Sequence, residues 1–224
     1  MDFTATFPHR VYLSVPARRD RREELAPRLA AAGVEAEWWP ALGAGPMRGE
    51  TRGFKTLGHR AHAVSVRLGL RRARQQGMET ILMLEDDAVF HPEFRERIGA
   101  LELPADWGLF YLGCQHIETP ERVAPGLVRV RRALDMQAVV FRRAHYGRVR
   151  MAVRGGGKGA AGEKYVDVSI SDLHKEIPTY AAYPNLVWQA ESWSDIAGCK
   201  YSNYEADGSQ RLWRHVVEPL GAGL

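Results

Sequence analysis

The stretch Thr80-Ile-Leu-Met-Leu-Glu85-Asp86-Asp87-Ala-Val-Phe90 decides how this chain is read, because an unbroken apolar run leads straight into three carboxylates and then turns apolar again. Such a run fits a strand buried on both faces of a parallel sheet. Three like charges at a buried strand end repel one another and are costly to desolvate, so they call for a compensating cation. A divalent ion, Mg²⁺ or Mn²⁺, is the expectation for hard carboxylate oxygens. Alternation along a strand keeps the three from pointing the same way.

Working outward, Arg10-Val-Tyr-Leu-Ser-Val15 reads as a strand ended by Pro16. Asp20 followed by Glu23 resembles a capping box that opens a helix toward Gly33, with Pro27 expected to kink or delay it. Glu35 to Trp39 reads as a second strand, and 41–53 as a loop rich in glycine and charge. From His59 to Gln76, Ala63, Val66, Leu70 and Ala73 recur at helical spacing, and Gly77 supplies the stop. Beyond the acidic strand, Pro92 to Leu101 reads as a helix and Trp107 to Leu112 as another buried strand closed by Gly113. Leu127 to Arg132 and Met136 to Phe141 read as strands, with an antiparallel pairing in view, and His145 to Val153 as a helix. Strands alternating with helices imply an α/β fold with a mostly parallel sheet and ligands at the carboxyl ends of its strands. The glycine-rich stretch 154–162 breaks all periodicity and is expected to be a flexible loop, a lid or plain linker.

A chain of 224 residues, 45% of them hydrophobic, suits one domain. It is divided here into a nucleotide-sugar-binding half, 1–112, and an acceptor-side half, 113–224. No apolar stretch approaches the length of a membrane span, and 1–10 lacks the order of a signal peptide, so a cytoplasmic location is expected, or a peripheral one at the inner face of the membrane. Cys114 and Cys199 sit in no metal-ligand spacing and read as free thiols. Arginine pairs at 18–19, 21–22, 71–72 and 142–143 read either as an anionic docking surface or as solvated helix faces, since the net charge is only +4. No basic motif interleaved with aromatics appears, so no nucleic acid is expected as a partner.

Metal-bridged diphosphate oxygens would suit the acidic strand end. In that reading Asp87 is a direct metal ligand, Glu85 a ligand through water or an orienter of the others, and Asp86 faces ribose or sugar hydroxyls. Arg21 matches phosphate geometry, while Tyr12, Trp107, Trp188 and Trp193 are aromatics able to stack on a base or sugar, most of them expected in the core. His116 is placed either on the acceptor side or at the surface.

The segments Gly58-His-Arg-Ala-His-Ala63-Val-Ser65-Val, then Gly77, then Leu84-Glu-Asp-Asp87-Ala-Val-Phe90 resemble the core of the glycosyltransferase family 25 proteins, which include lipopolysaccharide-biosynthesis galactosyltransferases. Upstream, Tyr12-Leu-Ser with Asp20-Arg21 is similar to that family's opening strand and its acidic-basic pair. Downstream, Asp106-Trp107 with Tyr111-Leu-Gly113, then Tyr165-Val-Asp167, Pro184, Gln189 and Ser194-Asp195-Ile196, resembles its later segments. The resemblance covers roughly residues 10–198. It implies a GT-A type, Rossmann-like domain, a nucleotide-sugar donor such as a UDP-sugar, Mn²⁺ or Mg²⁺, and a saccharide acceptor in bacterial surface glycan biosynthesis, with membrane contact where the acceptor is membrane-borne. It further implies inversion with a carboxylate base, for which Asp167 is the first candidate, Asp172 and Asp195 the reserves and Asp135 a weaker one; Asp167 could instead cap a helix. Ser14 and Ser65 join Arg21 and Asp86 as donor-binding candidates. Where the family shows Ser-His, this chain has Ser65-Val66, leaving His59 or His62 to replace the histidine.

Two rivals stand beside this reading. A sugar-phosphate nucleotidyltransferase usually carries a glycine-rich loop after its first strand, and Ser14-Val-Pro-Ala-Arg-Arg19 has no glycine. A non-catalytic scaffold of the same fold would show no metal-dependent nucleotide binding.

Overall fold

The computed structural model describes residues 1–155, 157–158, 162–194 and 199–221, the side chains at 157–158, 193–194 and 199–201 excepted. In chain order the elements are α1 (Phe3–Thr6), β1 (Arg10–Ser14), α2 (Arg19–Ala32), β2 (Glu37–Pro40), α3 (Leu57–Gln75), β3 (Thr80–Glu85), β4 (Ala88–Phe90) and α4 (Phe94–Ala100). They continue with β5 (Leu109–Tyr111), β6 (Gln115–Glu118), β7 (Glu121–Ala124), β8 (Leu127–Arg129), β9 (Arg132–Leu134), β10 (Ala138–Arg142) and α5 (Tyr146–Gly155). The last are β11 (Gly157–Lys158), β12 (Lys164–Tyr165), α6 (Val166–Ser171), β13 (Thr179–Ala182), β14 (Val187–Gln189), β15 (Ser192–Ser194) and β16 (Cys199–Tyr201).

The main sheet has the order β2-β1-β3-β10-β5-β13-β8-β7. Strand β1 runs parallel to β2 and β3, and β13 to β5. Strand β10 is antiparallel to both β3 and β5, and β8 to both β13 and β7. All strands except β10 and β8 therefore point the same way. The chain adopts the expected α/β architecture, a mostly parallel mixed sheet flanked by helices. Its strands come from both halves of the sequence.

Period-two alternation sorts the central strand between two cores. Ile81 and Met83 join Val66, Leu70, Tyr146 and Val149 beneath α3 and α5, while Leu82 and Leu84 join Leu25, Leu29, Phe94 and Ile98 beneath α2 and α4. The four predicted apolar positions of α3 are all buried. Thr56 caps α3, its hydroxyl accepting from the His59 amide, and Gly77 ends it at φ +72°, as Gly33 ends α2 at φ +62°.

The expected capping box is absent: Arg18 occupies the cap position of α2, and Asp20 lies in the first turn, bonded to Arg18. Pro27 sits inside α2 without ending it. The strand expected at Leu127 to Arg132 is two strands, β8 and β9, which pair with different partners. The glycine-rich stretch falls partly on residues 156 and 159–161, outside the described residues, although Gly157–Lys158 pairs with Lys164–Tyr165.

Candidate active site

The acidic triplet lies where β3 ends. Glu85 shares the face of Ile81 and Met83 and so points toward α3, where His62 Nε2 stands 3.1 Å from Glu85 Oε1. Asp86 has the parity of Leu82 and Leu84 and points toward α2, where Arg21 Nη1 donates to its Oδ1 at 2.7 Å. Asp87, in the turn that follows, accepts on Oδ2 from the same Arg21 nitrogen at 3.2 Å and from Gln189 Nε2 at 3.2 Å. Pairing of β14 with β4 aligns Gln189 with Ala88 and so brings that amide to the site. A hydroxyl from Ser192 accepts from Arg21 Nη2 at 2.9 Å.

The charges are thus compensated unequally. Burial pushes the Glu85 carboxyl up, but its hydrogen bond and ion pair with His62 outweigh that and hold it below its ordinary value. His62 is held above its ordinary value, Glu85 again outweighing burial. Asp87 is left short: burial and the charge of Glu85 prevail over Arg21 and push it up from 3.8 to about 7. Its Oδ1 is buried with no hydrogen-bond partner among the described residues.

Strand β10 brings further carboxylates to the same sheet edge. Because it runs antiparallel, its beginning meets the end of β3, and Glu85 N donates to Gln137 O at 3.0 Å. Asp135, just before it, has φ +75°, a left-handed conformation unusual for any residue but glycine. Its carboxylate accepts from Tyr204 Oη at 2.8 Å and from Asn203 Nδ2 at 3.1 Å. Burial and the charge of Asp167 push it up to about 7 despite these bonds. Asp167 opens α6 and accepts from the Val168 amide at 2.9 Å; burial pushes it up as well, against the backbone N–H groups of Val168 and Asp135 and the charge of His62.

Not all expected residues converge. The Asp172 side chain is 55% exposed and faces Arg132 Nη2 at 3.5 Å. Asp195 lies outside the described residues, as do Ile196 and the side chain of Trp193. Ser14 is buried, with its hydroxyl unpartnered among the described residues; its carbonyl accepts from Ala41 N and Trp38 Nε1. Ser65 donates to Ala61 O and accepts from Leu42 N, both at 2.8 Å, so it clamps the loop after β2. Trp107 and Trp188 are buried, as expected of most of the aromatics, and Tyr12 packs against the core. His116 is buried 3.6 Å from Cys114 Sγ, and burial lowers it to about 4, so it does not face water. His59 is held by Thr56 Oγ1 at 2.8 Å and set edge-on to Tyr165, with burial lowering it to about 4.

Beside the triplet a cavity of about 630 Å³ opens at the carboxyl ends of β1 and β3. Its apolar walls are the loop Val15-Pro16-Ala17 and the loop Ala41 to Pro46, and its polar floor is Arg18, Arg21, His62, Glu85, Asp86, Asp87 and Gln189. Arg22, expected only as part of an arginine pair on a docking surface or solvated face, donates to Val15 O at 2.8 Å and Pro16 O at 2.9 Å and so fixes one wall.

Among the described residues no group of three or more His, Cys, Asp or Glu is arranged to hold a metal ion. Glu85 is turned to His62 and Asp86 to Arg21, so the expected pair of ligands is not assembled as a cage. The orphaned Asp87 Oδ1 is a different matter. It fits a hard cation held by one carboxylate oxygen together with the phosphates of a ligand, the usual way Mg²⁺ is bound beside nucleotides.

No family model matches the sequence, and no curated protein does. Among solved structures the chain is similar to A197 from STIV, at 13% identity over 88% of this chain and 95% of that one, with a TM-score of 0.45. It is similar to a Drosophila β1,4-galactosyltransferase 7 in complex with manganese, UDP-Gal and xylobiose, at 14% identity over 82% and 71%, with a TM-score of 0.45. A nucleoside-diphosphate-sugar pyrophosphorylase from Vibrio cholerae RC9 matches at 15% identity over 84% and 79%, with a TM-score of 0.44.

Proposed function

We propose that this chain is a GT-A type glycosyltransferase, of the kind it resembles in glycosyltransferase family 25, that transfers a sugar from a uridine diphosphate donor to a saccharide hydroxyl of a bacterial surface glycan. One observation carries the reading: a cavity at the carboxyl ends of β1 and β3 sets apolar loop walls against a floor of Arg18, Arg21 and a carboxylate oxygen that has no partner among the described residues. Apolar walls suit a base and ribose, and guanidinium groups suit a diphosphate.

In this mechanism Arg18 and Arg21 bind and orient the diphosphate, and Ser65 and Arg22 keep the cavity walls in place. Asp87 Oδ1, with Glu85 as its charged neighbour, would hold Mn²⁺ or Mg²⁺ beside the phosphates; when bound, that ion neutralises the charge developing on the departing nucleotide. Asp167 removes the proton of the acceptor hydroxyl as the acceptor oxygen attacks the sugar's anomeric carbon from the side opposite the nucleotide, giving inversion. The backbone N–H groups of Val168 and Asp135 orient its carboxylate for that task.

Calorimetry with UDP, with and without Mn²⁺, tests the donor half. Binding that strengthens with Mn²⁺ and loses that dependence in Asp87→Ala is the expected result. Metal-independent binding, no binding at all, or full transferase activity in Asp87→Ala would overturn it. A scaffold shows no metal-dependent binding, and a nucleotidyltransferase consumes a nucleoside triphosphate with a sugar phosphate.

A further inference from the structure

A second feature of the molecule lies away from the cavity, on the outer surface of the helix pair α3 and α5, which pack side by side over one face of the sheet. Arg67, Arg71 and Arg74 fall at i, i+4 and i+7 on α3, and Arg150 and Arg154 at i and i+4 on α5, so each set forms a stripe along its helix. The arginines bordering this surface are neutralised: Arg72 by Glu37 at 2.9 Å, Arg143 by Glu79 at 2.7 Å and Arg148 by Glu176. The five on the stripes make no ion pair with any described residue, and the Nε atoms of Arg67 and Arg150 are buried without an acceptor among them. Burial, then the charges of Arg154 and Arg150, hold the Arg67 guanidinium below its ordinary value, which places the two stripes within electrostatic reach of each other.

Next to these charges stand two large apolar side chains that the core does not use. Leu68 is 50% exposed and Met151 is 65% exposed, each adjacent in sequence to a stripe arginine. An arginine cluster that repels itself and flanks exposed apolar side chains calls for a partner both anionic and apolar.

We propose that the outer face of α3 and α5 docks on an anionic lipid bilayer, the arginines meeting headgroup phosphates while Leu68 and Met151 enter the boundary with the acyl chains. A soluble phosphate would satisfy the arginines but leave the two apolar side chains in water, and an uncharged bilayer would leave the arginines unpaired. Helix α3 links this face to the cavity, since its first turns carry His62 and Ser65 and its later turns carry Arg67, Arg71 and Arg74. Docking there would set the cavity at a fixed height beside the membrane, which, resting on the proposed function, would suit a membrane-borne acceptor.

Co-sedimentation of the full chain with vesicles tests this without any nucleotide, so its outcome is independent of the donor reading. Three vesicle preparations are compared: phosphatidylcholine alone, phosphatidylcholine with about one third phosphatidylglycerol, and the latter with excess inorganic phosphate. The protein is expected to bind only the anionic vesicles, more weakly as salt rises, and to keep binding when phosphate competes at matched ionic strength. Each arginine at such a surface contributes about fivefold in partitioning, so Arg71→Glu with Arg74→Glu and Arg154→Glu, all at exposed positions, should weaken binding about 100-fold or more. Leu68→Ser with Met151→Ser should weaken it about tenfold while leaving the salt dependence in place. Unchanged thermal unfolding and unchanged UDP binding in both variants confirm that the fold and cavity are intact. Equal binding to neutral vesicles, no vesicle binding, displacement by phosphate, or retention of binding in either variant would each overturn the proposal.

Discussion

Replacing Asp87 by Asn should stabilise the protein, and by more at alkaline than at acid pH, while removing metal-dependent nucleotide binding. In the folded chain burial and Glu85 push the Asp87 carboxyl from 3.8 to about 7. A carboxyl raised on folding contributes stability that is fully present below its unfolded value and is lost as pH rises through its folded value. At about 1.4 kcal/mol for each pH unit between the two values, the loss from this one group is on the order of 4 kcal/mol by pH 8, of which about 1–2 kcal/mol is already gone at pH 5. Asparagine has nearly the same shape and can still accept from Gln189, but it carries no charge to desolvate. The stability gap between Asp87→Asn and the native chain should therefore widen by about 2–3 kcal/mol from pH 5 to pH 8, or about 4–12 °C in Tm for a domain of this size. Thermal unfolding by circular dichroism at the two pH values measures it. Repeating the pH 8 measurement with UDP at about 100 times its dissociation constant in the presence of Mn²⁺ should raise the native Tm by the equivalent of about 2.7 kcal/mol, whereas adding Mn²⁺ to the UDP-containing variant should give no further rise. A gap that is equal at both pH values, or an Asp87→Asn variant less stable than the native chain at pH 8, would refute the account of Asp87 as the uncompensated member of the triplet.

Other outcomes follow from the same geometry. His62→Ala strips Glu85 of its partner and should cost roughly 1–3 kcal/mol. Because the His62 value is raised on folding, that cost should be largest below about pH 6.5 and shrink as pH rises above it, as urea unfolding at pH 6 and 9 will show. Ser65→Ala removes the clamp on the Leu42 amide and should raise the KM for the sugar donor about fivefold with kcat little changed, read from steady-state kinetics. Gly113→Ala would place a Cβ 1.8 Å from the Val187 carbonyl oxygen, so β14 must shift and carry Gln189 with it; soluble yield and Tm should both fall sharply.

Much of this was legible because two periodicities dominate the first half of the chain. The alternation of Ile81-Leu82-Met83-Leu84 fixed not only a strand but the opposite headings of Glu85 and Asp86, and the spacing of Ala63, Val66, Leu70 and Ala73 fixed the inner face of α3. What the sequence hid is where the cations come from. The triplet looked like a demand for a metal, yet Arg21 lies 65 residues from Asp86 and His62 one helix earlier, and no local pattern announces either pairing. Strand β13 escaped notice for a different reason: Thr179-Tyr-Ala-Ala182 is short and small, and only its position between β5 and β8 makes it a strand. That Asp135 stands near Asp167 and Glu85 could not be read ahead, because it depends on β10 running against its neighbours, which brings the start of that strand to the end of β3.

That antiparallel insertion also sets the sharpest remaining choice, between Asp167 and Asp135 as the base. Both carboxyls are raised by burial, and the charge of Asp167 helps push Asp135 to about 7, so removing one carboxylate changes the titration of the other. The two roles separate in one pair of variants. If Asp167 is the base, Asp167→Asn loses turnover by about 100-fold or more, while Asp135→Ala keeps the backbone N–H that orients Asp167 and retains most of it. If Asp135 is the base, Asp167→Asn removes a neighbouring negative charge and lowers the Asp135 value, so turnover survives with its acidic limb moved to lower pH. The kcat profile of Asp167→Asn from pH 5 to 9 decides: a flat, nearly inactive profile supports Asp167, and an active profile shifted toward acid overturns it.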